Sequence, residues 1–444
     1  MSGSYVRSVA LLPVGDHWDM SLLDMAARAA EEALEGAGWP RVDAIVVSNM
    51  LAERLLSQGQ LGALVAERAG LRGVRALRVE AGHASGGVAV ATAHQLVRGG
   101  ALERVLVLGV EKMRDSLSED ALEAMSMSED AEHVLMTGSN IYTLGALLTR
   151  IYMDRYGVAY EDLLRFPLIA HANGAKAGHA QFRRPLTLKQ ALESPVVSDP
   201  VRLMDTPPMG DGAAAVLLTS DPSGAMAEIA FSDYSTSSVN SYLHGDPLSL
   251  PALSAVAAAA RASGLDPAAA DFLELHDTFS VMAALELEEL GAAPRGGAPG
   301  LARSGRLSLD GELPISTFGG MKARGFPVGA AGVYQVAEAA LQVSGGAGPN
   351  QVQGAELGAA VNLGGFGGTA ALTIVRRRER CRSRPSLIGG RSAATTTWSD
   401  PRAGPAAPRS TRRPTRAHAA GAGTSSASNC GRAAGSSVTR PPWR

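Results

Sequence analysis

Cysteine is almost absent from this sequence. Only Cys381 and Cys430 occur among the 444 residues, and both lie in the C-terminal segment. A disulfide framework is therefore excluded, and the composition agrees with a protein of the reducing cytoplasm. No group of His, Cys and carboxylate residues has the spacing of metal ligands, so we expect no metal site.

Long apolar runs are missing as well. None reaches the roughly 18 residues that are needed to span a bilayer, and the N-terminus lacks the basic, apolar and small-residue blocks of a signal peptide. Glycine-rich nucleotide-binding signatures are absent between a strand and a helix. We therefore expect no membrane span and a cytoplasmic location.

Acidic charge dominates most of the chain. The net charge of −2 hides an asymmetry, because the segment from Arg376 onward holds 15 Arg and two acids, about +13, which leaves about −15 for the rest. An acidic body of this kind argues against binding to nucleic acid.

The segment 377–444 differs in composition from the rest of the chain. It is rich in Arg, Pro, Ser, Gly and Ala and has few large aliphatic residues, so it cannot bury enough apolar surface to offset the entropy of ordering. Two interpretations stay open. One is a disordered segment without a site, produced by a reading-frame shift near Arg376, and the other is a basic arm for anionic partners.

Strand-like and helix-like segments alternate in the remaining residues, which indicates an α/β fold. The elements predicted for residues 1–225 are helix Ser21–Gly36, strand Asp43–Ser48, helix Val88–Arg98, strand Val105–Val110 and strand Asp211–Leu218. Residues 113–200 break this rhythm with several helices, such as Ile141–Tyr156, and we interpret them as an insertion that covers a site.

A second lobe over residues 226–376 repeats a similar order of elements. Its predicted elements are helix Pro251–Ser263, strand Asp271–His276, helix Val281–Leu290, helix Gly329–Leu341, strand Gly354–Leu363 and strand Thr369–Val375. The chain is thus predicted to contain two similar lobes, 1–225 and 226–376, followed by the segment 377–444.

Several motifs together resemble the thiolase superfamily, and most of all its archaeal-type acetyl-CoA acetyltransferases and sterol-carrier-protein thiolases. The segments that carry the resemblance are Arg78–Gly87, Val105–Met113, Asp205–Val216, Glu274–Ser280, Gly319–Gly332 and the glycine-rich Asn362–Gly368. They occur in the order of the family and cover roughly residues 8–375.

The three catalytic positions of that family are changed here. In the family a nucleophilic Cys takes the acyl group, the His of Gly-His-Pro activates it, and the Cys of His-Asp-Cys-Phe moves a proton. The matching positions are His83, Phe326 and Thr278, while His276, whose family counterpart helps to hold an oxyanion-binding water, is kept. Covalent acyl transfer needs a nucleophile and an adjacent base, so we expect thiolase turnover near background.

His83 allows two interpretations. If the family's turn is kept, His83 lies at the start of a helix, where the partial positive charge favours the neutral imidazole and lowers its pKa. Such a ring could act as a base or polarise a carbonyl group. Alternatively, the ring only fills the space that the thiol has left.

The family resemblance associates several glycines and two basic residues with ligand binding. Gly364, Gly365, Gly367 and Gly368 either serve turns or let the backbone approach an acyl thioester. Lys322 and Arg324 either face the phosphates of coenzyme A or lie on a solvated loop.

Some further motif residues are interpreted as structural. His171 and Asn173 resemble part of the family's Asn-His-x-Asn element, and no separate role is assigned to His179, Gln181 or Phe182 in the same element. Thr206 stands where related sequences often have Cys.

The resemblance implies a layered αβαβα arrangement of the two lobes, with a helical loop domain inserted in the first. It also implies a homodimer, coenzyme A or acyl-CoA as ligand without a covalently bound cofactor, and a small zinc-ribbon/OB-fold partner protein.

Three functions therefore compete. The first is an acyl-CoA-binding protein without thiolase turnover, although its family activity is acetyl-CoA C-acyltransferase. The second is a carbon–carbon lyase of the retro-aldolase type that acts on β-hydroxyacyl-CoA without a covalent intermediate. The third is residual acyltransferase activity.

Overall fold

The computed structural model describes residues 3–378, so the predictions for the segment beyond Arg378, including both cysteines, lie outside the described residues. The elements of the first half are β1 (Tyr5–Leu11), α1 (Leu22–Gly36), β2 (Ala44–Ser48), α2 (Ala52–Leu56), α3 (Leu61–Arg68), β3 (Arg75–Val79), α4 (Ser85–Arg98), β4 (Arg104–Glu111), α5 (Ser118–Ser126), α6 (Ile141–Tyr156), α7 (Tyr160–Leu163), α8 (Arg165–Gly174), α9 (Leu188–Glu193), β5 (Val196–Ser198), β6 (Val201–Arg202) and β7 (Gly212–Thr219).

The second half repeats this alternation after a short turn at residues 220–226. Its elements are β8 (Ala227–Thr236), α10 (Pro251–Ala262), β9 (Phe272–Glu274), α11 (Ser280–Glu289), α12 (Ala298–Arg303), α13 (Ala331–Ser344), β10 (Leu357–Gly364) and β11 (Thr369–Arg377). The predicted division between residues 225 and 226 falls in the turn between β7 and β8.

The strands show that the two halves are duplicates. They form a sheet in the order β3-β2-β4-β7-β1-β8-β11-β10-β9, in which β1 and β8 are joined only through Tyr5–Glu228 and Val6–Ala227. Outward from that junction, the first half has five strands in the order β1-β7-β4-β2-β3. The second half has four in the matching order β8-β11-β10-β9, and a parallel bridge between Leu273 and Ile315 takes the fifth position. The two-lobed prediction therefore describes the topology.

Five layers follow from the way the helices pack on these strands. Helices α4 and α13 pack against each other and against strands of both halves, whereas α1 and α3 cover the first half and α10 covers the second. Strands β4 and β7 are buried over nearly their whole length. Because helices cover both faces of these strands, their sequences are continuous apolar runs.

The inserted segment contains α5 to α9 and the small β5–β6 ribbon, which confirms the prediction of several helices over residues 113–200. Helix α6 begins after Asn140, whose side chain accepts the backbone N–H groups of Tyr142 and Thr143 as an N-cap. The chain of residues 3–378 contains no helix that is both long and apolar enough to cross a membrane.

Small residues let the two central helices meet. A Cβ atom at Gly86 of α4 would lie 2.7 Å from the backbone N of Gly332 in α13, which is closer than real Cβ atoms approach a backbone. Several segments that end at one edge of the strands are thereby drawn together: the β3–α4 turn, the β9–α11 connection and the β10–β11 turn. The carboxyl ends of strands in α/β sheets are where ligands commonly bind.

The glycine contact between the central helices can be tested with Gly86→Ala. We expect this change to lower the free energy of unfolding by ~1–3 kcal/mol, because the added methyl group forces backbone to move in a close-packed layer. Urea denaturation measures the effect. Gly300→Ala is the matched control, since no atom lies within 4 Å of its added Cβ. Equal stability of the two variants would contradict the close helix contact.

Candidate functional site

His83 is held at the first turn of α4 by a compact set of hydrogen bonds. The Ser85 hydroxyl accepts the Ala81 N–H at 2.9 Å and donates to the Gly82 carbonyl at 2.5 Å. Gly82 has a φ of +57°, which favours glycine at this position. The turn therefore directs His83 inward, and the side chain is 3% exposed.

The hydrogen bonds of His83 define its tautomer. Its Nε2 lies 3.0 Å from the Met125 carbonyl oxygen, and because a carbonyl can only accept, Nε2 carries the hydrogen. Burial lowers the pKa of His83 to about 4, although the Met125 carbonyl opposes this shift. The ring is thus neutral near pH 7, and Nδ1 is left as an acceptor. Burial is the main cause of the neutral imidazole. The sequence indicated only the partial charge at the start of the helix as a cause.

Asn362 defines the tautomer of the second imidazole. Its Oδ1 accepts the Gly87 N–H at 2.9 Å, so its amide nitrogen is the atom that lies 3.1 Å from His276 Nδ1 and donates to it. The hydrogen of His276 is therefore on Nε2, which is buried and has no hydrogen-bond partner among the described residues. Burial, and to a lesser degree His83 and Arg324, lowers the pKa of His276 well below its usual value.

The two imidazoles and the phenyl ring form one cluster. The ring centroids of His83 and His276 are 6.1 Å apart with an interplanar angle of 23°. Phe326 meets both rings edge-on, at 5.2 Å from His83 and 5.4 Å from His276. Phe326 is fully buried. The cluster thus offers a donor at His276 Nε2 and an acceptor at His83 Nδ1, beside a ring that can move no proton.

Thr278 follows His276 by two residues in the sequence, but it forms no hydrogen bond with any of the three rings. Its N–H donates to the His276 carbonyl at 2.8 Å, and its carbonyl accepts from Lys322 at 3.2 Å. The hydroxyl forms no hydrogen bond within residues 3–378. The structure therefore brings together the rings of His83, His276 and Phe326, and Thr278 is linked to this group through its backbone N–H to the His276 carbonyl.

The glycine loop lies against the turn that carries His83. A Cβ atom at Gly364 would be 2.9 Å from the Ala81 carbonyl oxygen, so only glycine permits this approach. The N–H groups of Gly367 and Gly368 both donate to the Gly364 carbonyl at 3.1 Å. These two N–H groups are therefore taken up within the turn.

Lys322 and Arg324 do not lie on a solvated loop, because both side chains are buried. Their contact with the phosphates of coenzyme A stays a prediction. Lys322 is buried in an ion pair with Asp205 at 2.9 Å, and Arg324 is buried in an ion pair with Glu338 at 3.2 Å. Both residues lie in a π-helical turn under α8. Each of these cations is buried together with an anionic partner, and the attraction between the two charges offsets part of the cost of removing them from water.

The remaining motif residues have contacts within the fold, and the structural interpretation of His171 and Asn173 stays a prediction. Asn173 donates to the carbonyls of Ile315 and Ser316, and His179 contacts Glu338 at 2.8 Å. The other contacts are His171 with the Arg184 carbonyl, Gln181 with the Met209 carbonyl, Phe182 with the His171 ring, and the Thr206 hydroxyl with the Leu203 carbonyl.

Two residues of the site were not singled out from sequence. Asn362 opens the quoted glycine motif, so its position was a usable signal, but its bridging role needed coordinates. Glu129 lies in Ser128-Glu-Asp-Ala-Glu132, an acidic stretch of the kind that is typical of a solvated surface. The structure instead buries Glu129 beside the glycine loop, where its carboxylate accepts the Phe366 N–H at 3.2 Å.

Comparison with known proteins agrees with this architecture. The sequence profile described as "Thiolase, N-terminal domain" matches residues 8–222, and that described as "Thiolase C-terminal domain-like" matches residues 235–377. The acetyl-CoA acetyltransferase of Methanothermobacter thermautotrophicus is 36% identical over 387 residues, which are 84% of this chain and 100% of the relative. Sterol carrier protein 2 of Oryctolagus cuniculus is 29% identical over 80% of this chain and 67% of its own.

Solved structures share the fold at lower identity. The Ltp2-ChsH2(DUF35) aldolase superposes with a TM-score of 0.73 at 23% identity and covers 85% of this chain and 98% of its own. An acetyl-CoA acetyltransferase from Syntrophomonas wolfei has a TM-score of 0.65 at 18% identity, with coverages of 85% and 100%.

The structural role of the buried cations can be tested with Lys322→Met. Removing one partner leaves Asp205 buried without its cation, so we expect the free energy of unfolding to fall by ~3–5 kcal/mol. The control is Lys176→Met, because Lys176 is exposed, and it should change stability by less than ~0.5 kcal/mol. Denaturation by urea compares the two. Unchanged stability together with weaker acyl-CoA binding in the Lys322 variant would instead indicate a ligand contact.

Proposed function

This chain belongs to the thiolase family, and from that premise we propose that it binds acyl-CoA thioesters without transferring acyl groups as a thiolase does. The observation that supports the proposal is the contact between the rings of His83 and Phe326, the two residues that the family resemblance matches to the nucleophile and its base. The phenyl ring that packs against His83 can neither accept nor donate a proton, so Phe326 cannot activate this imidazole for acyl transfer.

Binding of a thioester is supported by the polar atoms that remain. His276 Nε2–H is a buried donor without a partner, and such a donor is stabilised by a carbonyl oxygen brought close to it. The Gly364–Gly365 backbone lies nearby and fits the close approach of a flat thioester group. We propose that these groups hold the thioester carbonyl, and that coenzyme A enters as a ligand that is not covalently attached.

The oligomeric state, the cellular location and the partner protein are also proposals. We expect a homodimer in the cytoplasm, as the family resemblance implies. The name of the Ltp2-ChsH2(DUF35) aldolase joins two components, which supports the expectation of a small partner protein for this chain.

The first test measures binding and turnover in the same preparation. Isothermal titration with acetyl-CoA and acetoacetyl-CoA should show binding, while thiolysis of acetoacetyl-CoA by coenzyme A should stay below about 1 s⁻¹, the low end of ordinary enzymes. A variant that combines His83→Cys, Thr278→Cys and Phe326→His should gain thiolysis, because it restores nucleophile, shuttle and base. Faster thiolysis by the unchanged protein, or no binding with or without a partner, would refute the proposal.

A second candidate function is carbon–carbon cleavage of a β-hydroxyacyl-CoA. The defined tautomers favour it, since His83 Nδ1 can accept from a β-hydroxyl group while His276 Nε2–H donates to the thioester oxygen, where negative charge develops on cleavage. This arrangement needs no covalent intermediate. The high TM-score with a protein named an aldolase is in line with this candidate but shows the fold alone.

The lyase candidate can be tested with a panel of straight-chain and β-branched β-hydroxyacyl-CoA thioesters. We expect acetyl-CoA to be released from at least one of them, and His83→Ala to reduce release by ~10²-fold or more. Liquid chromatography quantifies the product. His94→Ala is the control, because His94 is a buried histidine on the same helix α4 outside the cluster. No release by the unchanged protein, or equal rates in both variants, would eliminate His83 from such a reaction.

A further inference from the structure

A buried carboxylate lies against the glycine loop, on the segment whose Met125 carbonyl binds His83, and it has no role in the function proposed so far. Glu129 follows α5, its N–H donates to the Ser126 carbonyl at 3.0 Å, and the residue is 7% exposed. The same turn of chain supplies the Met125 carbonyl that binds His83. Ser128 packs against the His83 turn as well, because a Cβ atom at Gly82 would lie 3.3 Å from its Cβ.

The glycine loop contacts this carboxylate directly. Gly365 has a φ of +56°, and a Cβ atom there would lie 2.0 Å from Glu129 Oε1. The same oxygen accepts the Phe366 N–H, and the Ser128 hydroxyl lies 3.4 Å away. Since Gly364 touches the other side at Ala81, the loop places Glu129 and His83 around one small region of the site.

The charge of Glu129 is not neutralised. Within residues 3–378 it forms no ion pair, and its Oε2 has no hydrogen-bond partner. Glu111 makes a useful contrast, because Asn49 and the N–H groups of Met50, Leu51 and Gly329 bind its two oxygens. Glu111 is thus a saturated structural acid, whereas Glu129 keeps one oxygen available to a ligand.

Glu129 and His83 differ in proton affinity, and this difference affects their ability to transfer a proton. Burial raises the pKa of Glu129 to about 7, opposed only by the hydrogen bonds from Phe366 and Ser128, with no contribution from a charged neighbour. Burial lowers the pKa of His83 to about 4. Near neutral pH, Glu129 therefore populates both its ionised and its protonated forms, whereas His83 holds a proton too weakly to act as the main base.

We propose that Glu129 carries the proton in carbon–carbon cleavage at this site, an inference that rests on the lyase candidate above. The ionised carboxylate, in place of the His83 Nδ1 acceptor considered above, takes the hydrogen of the β-hydroxyl group, the bond between the α and β carbons breaks, and its electron pair forms the enolate of the acyl-CoA. The β carbon leaves as a ketone or aldehyde. Glu129 then returns the same proton to the α carbon, so no oxidant or further reactant is required.

The experiment uses Glu129→Gln, whose amide oxygen can still accept the Phe366 N–H. Acetyl-CoA in D₂O is the first probe, because proton exchange at its methyl group is the final step in reverse, and mass spectrometry detects the deuterium. Cleavage of the β-hydroxyacyl-CoA panel is the second. We expect both rates to fall by ~10²–10⁴-fold in this variant. Glu132→Gln is the control, because Glu132 is an exposed acid in the same segment, and it should leave both rates unchanged.

The pH dependence separates a proton carrier from a structural acid. Cleavage by the unchanged protein should slow as pH falls through about 7, because protonation removes the base, and Glu129→Gln should lack this limb. Glu129→Asp keeps an ionisable group, so it should retain the limb at a lower rate and also serves if the Gln variant does not fold. Cleavage that persists within twofold in Glu129→Gln with the same pH profile overturns the role of Glu129 alone. If the unchanged protein shows no exchange and no cleavage, that result overturns the lyase function as well.

Discussion

The side chain of Asn362 is the contact on which the site depends. Its oxygen accepts the N–H of Gly87, at the start of α4 in the first lobe, and its nitrogen donates to His276 in the second lobe. One amide thereby joins the two halves of the molecule at the point where their strands end. It also determines which nitrogen of His276 carries the hydrogen, and so which atom faces the cluster as a donor.

Buried ion pairs support the loops around this contact. Asp205 binds Lys322 and also accepts the N–H and hydroxyl of Ser280, which holds the connection that carries His276 and Thr278. Glu338 binds both Arg324 and His179 in the same manner for the segment before α13. The basic residues that the family resemblance associates with a ligand thus have buried ion-pair partners within this scaffold.

The chemistry that remains at the site follows from burial. Water is excluded from both imidazoles, so both stay neutral, and Glu129 holds a proton up to higher pH than an exposed acid does. A neutral donor, a neutral acceptor and one titrating carboxylate suit proton transfer and carbonyl polarisation. They do not suit formation of an acyl-enzyme, since neither the thiol nor its base is present.

The fold and the identity of the cluster residues could be obtained from sequence, because both are carried by local patterns. Apolar runs and motif order predicted α1, α6, β4 and the glycine loop closely, and the family profiles confirm the resemblance. Strands β1, β3 and β8 were not predicted, since two of them have alternating burial and β3 lies at the sheet edge. The residue types His83, Thr278 and Phe326, at the positions that the resemblance matches to the family's thiol, shuttle and base, are read from the sequence alone.

The tertiary structure decided everything that depends on which groups share a buried space. It buried Lys322 and Arg324 in ion pairs, assigned the hydrogens of His83 and His276, and brought Glu129 from an acidic stretch to the glycine loop. Sequence could not supply these results, because desolvation and hydrogen-bond partners arise from residues that are far apart in the chain, as Glu129 and Phe366 are.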